Sequence, residues 1–131
     1  MKKRILIADD DPAVREALKK VLEAEGFEVL LAADGDEAEA RVSSEPLDLL
    51  VLDLRLPKQS GWNVFGLATA LKPQLPIVIL TGLKDQIENR FLPGVDALLE
   101  KPLEAAVLLR TVNRLLSEPA IQRLTRLSTA A

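Results

Sequence analysis

The chain has 131 residues, which suits a single domain, and 48% of them are hydrophobic, enough for a core without disulfides. It contains no cysteine and no histidine, which excludes thiol nucleophiles, His or Cys metal ligands and a Ser-His-Asp triad. A net charge of −3 and only 3% aromatic residues argue against direct nucleic-acid binding by this segment. No apolar run is long enough to cross a bilayer, and the apolar stretch after the basic N-terminus is too short for a signal peptide, so we expect a cytoplasmic protein.

Short apolar runs alternate along the chain with segments of helical period. In chain order, the predicted elements are a strand at 5–8, a helix at 12–25, a strand at 27–32, a helix at 36–43, a strand at 47–52, a helix after Gly61, a strand at 77–80, a weak helix at 84–92, a strand at 97–100 and a helix at 103–116. Local signals support the first helix, since Asp11 is a good N-cap, Pro12 a good first residue and Gly26 a good stop.

This alternation predicts an α/β fold. The strands are almost unbroken apolar runs, so both faces of the sheet should be covered, which favours a parallel sheet with helices on both sides. Right-handed crossovers place the carboxyl ends of all strands along one edge, where open sheets of this kind bind ligands. Because Pro93 cuts off the helix at 84–92, we expect this fourth helix to be short or irregular.

The C-terminal segment departs from the pattern. Pro119 interrupts the last helix, and residues 121, 124 and 127 are then apolar at a spacing of three. We therefore predict one domain over 1–118, followed at 119–131 by a tail, a linker or an extension of the last helix.

Polar side chains mark the ends of the predicted strands. Asp9 and Asp10 follow the first strand, Asp53 the third, Thr81 the fourth and Lys101 the fifth. Each residue alone has an ordinary explanation as a cap, a turn residue or a surface charge. Two carboxylates about 4 Å apart nevertheless repel by roughly 4 kcal/mol at an effective dielectric of 20, a penalty that a bound cation removes. Five such residues at equivalent places indicate a functional site.

The residue types at this edge indicate phosphoryl chemistry with a hard metal ion. Carboxylate oxygens without His or Cys favour Mg²⁺ or Mn²⁺ over zinc. An Asp carboxylate is a competent nucleophile toward a phosphoryl group, with which it forms an acyl phosphate. Lys101 would supply a further positive charge, and the Thr81 hydroxyl and the Gly82 amide would donate hydrogen bonds to the phosphoryl oxygens.

With these residues the sequence resembles the response-regulator receiver family of two-component signalling. The resemblance covers essentially residues 3–116 and is very specific as an ordered set. The matching motifs are Asp9-Asp10, Ala33-Asp34-Gly35-Asp36-Glu37-Ala38, Asp53-Leu54-Arg55-Leu56-Pro57 with Gly61, Pro76-Ile77-Val78-Ile79-Leu80-Thr81, Gly94-Val95-Asp96-Ala97 and Lys101-Pro102. The resemblance implies a flavodoxin-like, doubly wound, five-stranded parallel sheet of order 2-1-3-4-5.

The resemblance also implies roles for individual residues. Asp53 is the expected phosphoacceptor, and its donor is expected to be a sensor histidine kinase or a histidine phosphotransfer protein. Asp10, Asp53 and the backbone carbonyl of Arg55 are expected to ligate the metal directly, and Asp9 through a water. Lys101 is expected to pair with Asp53 and to precede a cis peptide bond.

Further implications concern signalling. Thr81 is expected to move toward the phosphoryl group and carry the signal outward. The expected partners are the phosphodonor, an output domain or downstream protein, and a second copy of the chain. The domain is not expected to be an enzyme beyond catalysing its own phosphotransfer and autodephosphorylation.

The sequence departs from the family at Leu98, where an aromatic residue usually takes part in the switch. This departure keeps open a pseudo-receiver, a module of the same fold that binds partners without phosphorylation. A phosphohydrolase of the haloacid-dehalogenase type fits poorly, because it needs a second Asp where Arg55 stands. A flavin-binding module fits worse, since three consecutive Asp follow the first strand in place of a phosphate-binding loop.

Overall fold

The computed structural model describes residues 1–82 and 94–129, in which strands and helices alternate almost as predicted. The elements are β1 (Arg4–Ala8), α1 (Pro12–Ala24), β2 (Glu28–Ala32), α2 (Gly35–Ser44), β3 (Leu49–Asp53), α3 (Gly61–Leu71), β4 (Ile77–Thr81), β5 (Ala97–Glu100), α4 (Ala105–Ser117) and α5 (Ala120–Thr129). The helix predicted at 84–92 lies outside the described residues. No helix among the described residues is long and apolar enough to cross a membrane.

The five strands form one parallel sheet of order β2-β1-β3-β4-β5, which confirms the predicted fold class and strand order. Every residue of the central strand β3 and of β4 is buried, as their unbroken apolar sequences indicated. The strands β2 and β5 are the two edges of the sheet and are only partly buried. The carboxyl ends of β1, β3, β4 and β5 therefore meet at one edge of the sheet.

Two apolar layers cover the sheet. On one face, side chains of α2 and α3 such as Val42 and Val64 pack against alternate strand residues that include Leu50. On the other face, α1 and α4 contribute Leu22 and Leu108 against the remaining strand residues. Because successive side chains of a strand point to opposite faces, each central strand supplies both layers. Full burial of one such side chain contributes roughly 1.5–3 kcal/mol to folding.

Local capping explains where several elements begin and end. Asp11 caps α1 by accepting a hydrogen bond from the Ala13 amide, as predicted, and Gly26 adopts a positive φ of 91° just after the helix. The strand β3 begins at Leu49, two residues later than predicted. Asp48 is not part of the strand, and its carboxylate accepts a hydrogen bond from the Arg4 amide.

The C-terminal segment forms a second helix after α4. A break at Glu118 and Pro119 separates α4 from α5. The helix α5 returns to the domain through Arg123, whose side chain is buried and pairs with Asp96 just before β5. Whether residues 119–131 also connect the domain to another one stays a prediction.

Candidate functional site

Three carboxylates meet at the carboxyl edge of the sheet, where the sequence predicted a site. Asp9 and Asp10 follow β1, and Asp53 is the last residue of β3. Oxygen atoms from the three side chains all lie within 4.8 Å of one another. Asp9 and Asp53 are buried, whereas Asp10 is exposed to solvent. The adjacency of β1 and β3 in the sheet creates this cluster from residues more than forty positions apart.

The ammonium group of Lys101 lies between two of these carboxylates. Its Nζ atom is 2.7 Å from Asp9 Oδ2 and 2.7 Å from Asp53 Oδ2. The backbone amide of Lys101 donates to the Thr81 carbonyl oxygen at 2.7 Å, which joins the carboxyl ends of β4 and β5. The Lys101–Pro102 peptide bond is cis, as expected from the resemblance.

The environment of Asp53 shifts its protonation equilibrium. Burial raises the pKa of Asp53 above its ordinary value, and the hydrogen bonds from Lys101 and from the Arg55 amide offset only part of this effect. Desolvation lowers the pKa of Lys101, but its ion pairs with Asp53 and Asp9 outweigh desolvation and raise the pKa overall. The site therefore holds a charged ammonium against a carboxylate that is costly to ionise in this surrounding.

Asp9 is held in place at several atoms. Its backbone amide donates to the Ala32 carbonyl oxygen at 3.1 Å, and its Oδ1 accepts from the Asp11 amide at 2.9 Å. Its carbonyl oxygen accepts from Arg15 Nη1 at 2.8 Å. Asp9 Oδ2 lies close to Lys101 Nζ, but it receives no aligned hydrogen bond from the described residues. The contact of Arg15 with Asp9 was not predicted, because a positive charge one helical turn into α1 is the single feature of the sequence that points to it.

Two glycines allow the loop after β3 to pack tightly beside the site. A Cβ atom on Gly61 would lie 2.4 Å from the Asp53 carbonyl oxygen and 2.5 Å from Leu54 Cα. A Cβ atom on Gly35 would lie 2.1 Å from the Gln59 carbonyl oxygen. Contacts this short are not tolerated, so both positions require glycine for close backbone approach. The loop that leaves Asp53 is thereby fixed between α2 and α3.

The other predicted site residues lie at the same edge or beside it. Thr81 ends β4, is buried and is in register with Glu100 of β5. Gly82 follows directly, at the last described position before the gap. The structure brings the Arg55 amide to Asp53, whereas the metal-binding role of the Arg55 carbonyl stays a prediction. Leu98 packs in the layer formed by α2 and α3.

The donor set at this edge fits a hard divalent cation. Three carboxylates converge without any nitrogen or sulfur ligand, which matches the oxygen preference of Mg²⁺. The buried Asp9 Oδ2 that lacks an aligned hydrogen bond offers an acceptor for a metal-bound water. Asp10, Asp53 and Asp9 could therefore hold the ion, with the exposed Asp10 at the open side.

Comparison with known proteins agrees with this geometry. The sequence profile of the response regulator receiver domain matches residues 5–113. The chain belongs to this family. Receiver domains of response regulators are in general signalling switches of two-component systems that a kinase phosphorylates.

Individual relatives cover most of the chain. The response regulator MprA of Mycobacterium bovis (strain BCG / Pasteur 1173P2) is 39% identical over an aligned length of 119 residues, and the match covers 88% of this chain and 51% of MprA. The chain thus spans about half the length of the curated relatives it matches.

Solved receiver structures show the same fold. A CheY-like response regulator receiver domain protein from Methanospirillum hungatei JF-1 has a TM-score of 0.82 at 34% identity and covers 88% of this chain and 94% of its own. The response regulator TrrA from Thermotoga maritima, solved in complex with Mg²⁺-BeF, has a TM-score of 0.78 at 33% identity, with coverages of 86% and 98%.

Proposed function

We propose that this receiver domain is switched by phosphorylation of Asp53 in a Mg²⁺-dependent reaction. The phosphodonor in this proposal is a phosphohistidine on a sensor histidine kinase or on a histidine phosphotransfer protein. The observation that carries the proposal is the surrounding of Asp53, whose carboxylate lies within 4.8 Å of two other carboxylates and contacts Lys101 Nζ at 2.7 Å.

In the proposed transfer, a carboxylate oxygen of Asp53 attacks the phosphorus atom of the donor. A bond from Asp53 oxygen to phosphorus forms as the bond from phosphorus to the histidine nitrogen breaks, and the imidazole leaves with the electron pair of that bond. The metal ion, when bound, neutralises charge on the phosphoryl oxygens. Asp10, Asp53 and the Arg55 carbonyl would ligate it directly, and Asp9 through a water.

The remaining residues act on the charge of the phosphoryl group. Lys101 already contacts Asp53 Oδ2, so its ammonium group is placed to pair with a phosphoryl oxygen bonded there. Thr81 ends the neighbouring strand β4 and Gly82 follows it. In the proposal the Thr81 hydroxyl and the Gly82 amide donate to the same group. Movement of Thr81 toward it would alter the surface of the domain without a change of fold.

The proposed partners follow from this role. The carboxyl edge of the sheet must be open to the donor histidine, and Asp10 is exposed there. The signal would pass to an output domain, to a downstream protein or to a second copy of the chain. The greater length of the curated relatives supports the first of these three.

Intact-protein mass spectrometry after incubation with Mg²⁺ and acetyl phosphate tests the proposal. The wild-type chain should gain the mass of one phosphoryl group, and metal-free buffer should abolish the gain. Asp53→Asn should gain nothing, whereas Asp36→Asn, a matched change of an exposed carboxylate in α2, should behave as wild type.

A folded wild-type chain that gains no phosphoryl group under these conditions would overturn the proposal. The pseudo-receiver, a phosphorylation-independent interaction module, would then be the better description. Phosphorylation that persists in Asp53→Asn would show that another residue is the acceptor.

A further inference from the structure

A group of charged residues, two of them buried and two partly exposed, attaches α5 to the rest of the domain. This group, called the Asp96 clamp below, consists of Asp96, Glu118, Arg123 and Arg126. Arg123 contacts the two carboxylate oxygens of Asp96 at 2.8 and 3.1 Å, a bidentate pair. Its remaining donors reach the backbone carbonyls of Pro73 and Leu75 at 3.1 Å.

Arg126 completes the clamp. Its Nη2 atom lies 2.7 Å from Asp96 Oδ1 and 2.7 Å from Glu118 Oε1. Both acids of the clamp therefore contact guanidinium groups, and the hydrogen bonds with Arg126 lower the pKa of Glu118. Removal of one partner from a buried ion pair is strongly destabilising, because the other charge is then left uncompensated. The docked position of α5 therefore depends on these four side chains.

The order of α5 itself depends on docking. The helix has 10 residues, and isolated helices shorter than about 12–15 residues are marginal in water. Among its apolar residues, Ile121 and Leu124 remain largely exposed and Leu127 is partly buried, so apolar burial accounts for only part of its attachment. Among the described residues, the contacts of Arg123 and Arg126 are the polar interactions that join the helix to Asp96 and to the backbone before β4.

The clamp contacts the amino ends of β4 and β5. Asp96 directly precedes β5, and its backbone amide donates to the Ile77 carbonyl oxygen at 3.0 Å. The Ile77 amide, at the start of β4, donates in return to Asp96 Oδ2 at 2.8 Å. A single carboxylate thus joins α5 to the beginning of β4 and of β5.

The carboxyl ends of the same two strands carry two residues of the phosphorylation site. Thr81 ends β4 and Lys101 follows β5, and the Lys101 amide joins the two ends through the Thr81 carbonyl oxygen. The strands are therefore connected at both ends and span about 16 Å between the clamp and the site. Since β5 is an edge strand with β4 as its single neighbour in the sheet, strand pairing opposes a small shift of β5 on one side only.

We propose that the Asp96 clamp couples the docking of α5 to the phosphorylation of Asp53, each disfavouring the other. The inference rests on the function proposed above. A phosphoryl group bonded to Asp53 would take over the contact that Lys101 now makes with Asp53 Oδ2, and would thereby displace the end of β5. The ion-pair contacts of Asp96 with Arg123 and Arg126 are 2.7–3.1 Å long, within the range of hydrogen bonds, so a shift of Asp96 away from α5 would lengthen and weaken them.

Amide hydrogen exchange on the whole chain tests the coupling, with Mg²⁺ and beryllium fluoride as the phosphoryl analogue. In the wild type, the analogue should speed exchange in α5 severalfold. Arg123→Gln should speed it without the analogue and leave the exchange of β1 and β3 unchanged. By reciprocity, Arg123→Gln should also bind the analogue about fivefold more tightly, as judged by protection of the loop after Asp53.

Arg110→Gln is the matched control, because Arg110 is an exposed arginine of α4 outside the clamp. It should change neither the exchange of α5 nor the affinity for the analogue. Arg126→Gln leaves Arg123 in place and should give a smaller change in the same direction, which keeps the test valid if Arg123→Gln does not fold.

Three outcomes would overturn the coupling. The first is an exchange rate of α5 that is the same in both clamp variants as in Arg110→Gln. The second is an affinity for the analogue that does not change in the clamp variants. The third is normal binding of the analogue to the wild type without any change in the exchange of α5, in which case only the coupling fails. If the analogue does not bind the wild type at all, the proposed function fails with it.

Discussion

Replacement of Lys101 with Met should destabilise the folded domain in metal-free buffer, because it leaves the carboxylates of the site without their ammonium partner. Lys101 Nζ lies 2.7 Å from one oxygen of Asp9 and 2.7 Å from one of Asp53. At an effective dielectric of 20, each contact corresponds to about 6 kcal/mol of gross Coulomb attraction, most of which offsets desolvation.

The variant also leaves Asp9 and Asp53 facing each other. Their oxygen atoms lie within 4.8 Å, where two unit charges repel by about 3.5 kcal/mol or more at the same dielectric. Because Lys101 is partly exposed and water can screen the acids, we expect a net loss of about 2–4 kcal/mol in the free energy of unfolding. Mg²⁺ should restore a larger share of stability to Lys101→Met than it adds to the wild type, since a cation then replaces the missing charge.

Urea unfolding of wild type, Lys101→Met, Asp53→Asn and the double variant forms a double-mutant cycle that measures the interaction. The double variant should be more stable than the sum of the single changes predicts, by about 1–3 kcal/mol. Additivity within about 0.5 kcal/mol in metal-free, low-salt buffer would refute a direct interaction between Lys101 and the Asp53 carboxylate.

The remaining predictions concern the loop, the pH dependence and the metal. Gly61→Ala should lower the free energy of unfolding by about 1–3 kcal/mol or more, because the added Cβ would lie 2.4 Å from a backbone oxygen. Gly66→Ala, in open space within α3, should raise the free energy of unfolding by about 0.5–1 kcal/mol. The midpoints of urea unfolding measure both changes. Burial raises the pKa of Asp53 above 3.8, so the folded chain keeps a proton that the unfolded chain releases. The stability of the wild type relative to Asp53→Asn should therefore fall as pH rises above about 4 in a series of unfolding curves. Mg²⁺ at 100 times its Kd should stabilise the wild type by about 2.7 kcal/mol in thermal unfolding, and this gain should be mostly lost in Asp10→Asn but kept in Asp36→Asn.

Much of the fold could be predicted from local signals. The apolar runs that became β1, β3 and β4 are buried on both faces, and their order in the sheet agrees with the resemblance to the family. The site residues could also be placed, because residues at the carboxyl ends of parallel strands share one edge whatever the details of packing. Lys101 indeed contacts both Asp9 and Asp53.

The features that sequence reasoning missed depend on contacts between distant residues. The hydrogen bond from the Arg15 side chain to the Asp9 carbonyl oxygen depends on how α1 lies over the site. The later start of β3, after Asp48, goes with the contact of the Asp48 carboxylate with the Arg4 amide. No local pattern distinguishes such residues from ordinary surface charges.

The C-terminal segment shows the same division most clearly. The spacing of its apolar residues allowed a helix, a linker or a tail, and its ten-residue length could not decide among them. The docked helix depends on Asp96, which lies 27 residues before Arg123 and whose buried carboxylate accepts hydrogen bonds from Arg123 and Arg126. The sequence alone thus determined the strands and which residues lie at their carboxyl edge, because these follow from periodicity and residue type. Only the tertiary structure decided the docking of α5, because the charge that holds the helix comes from another part of the chain.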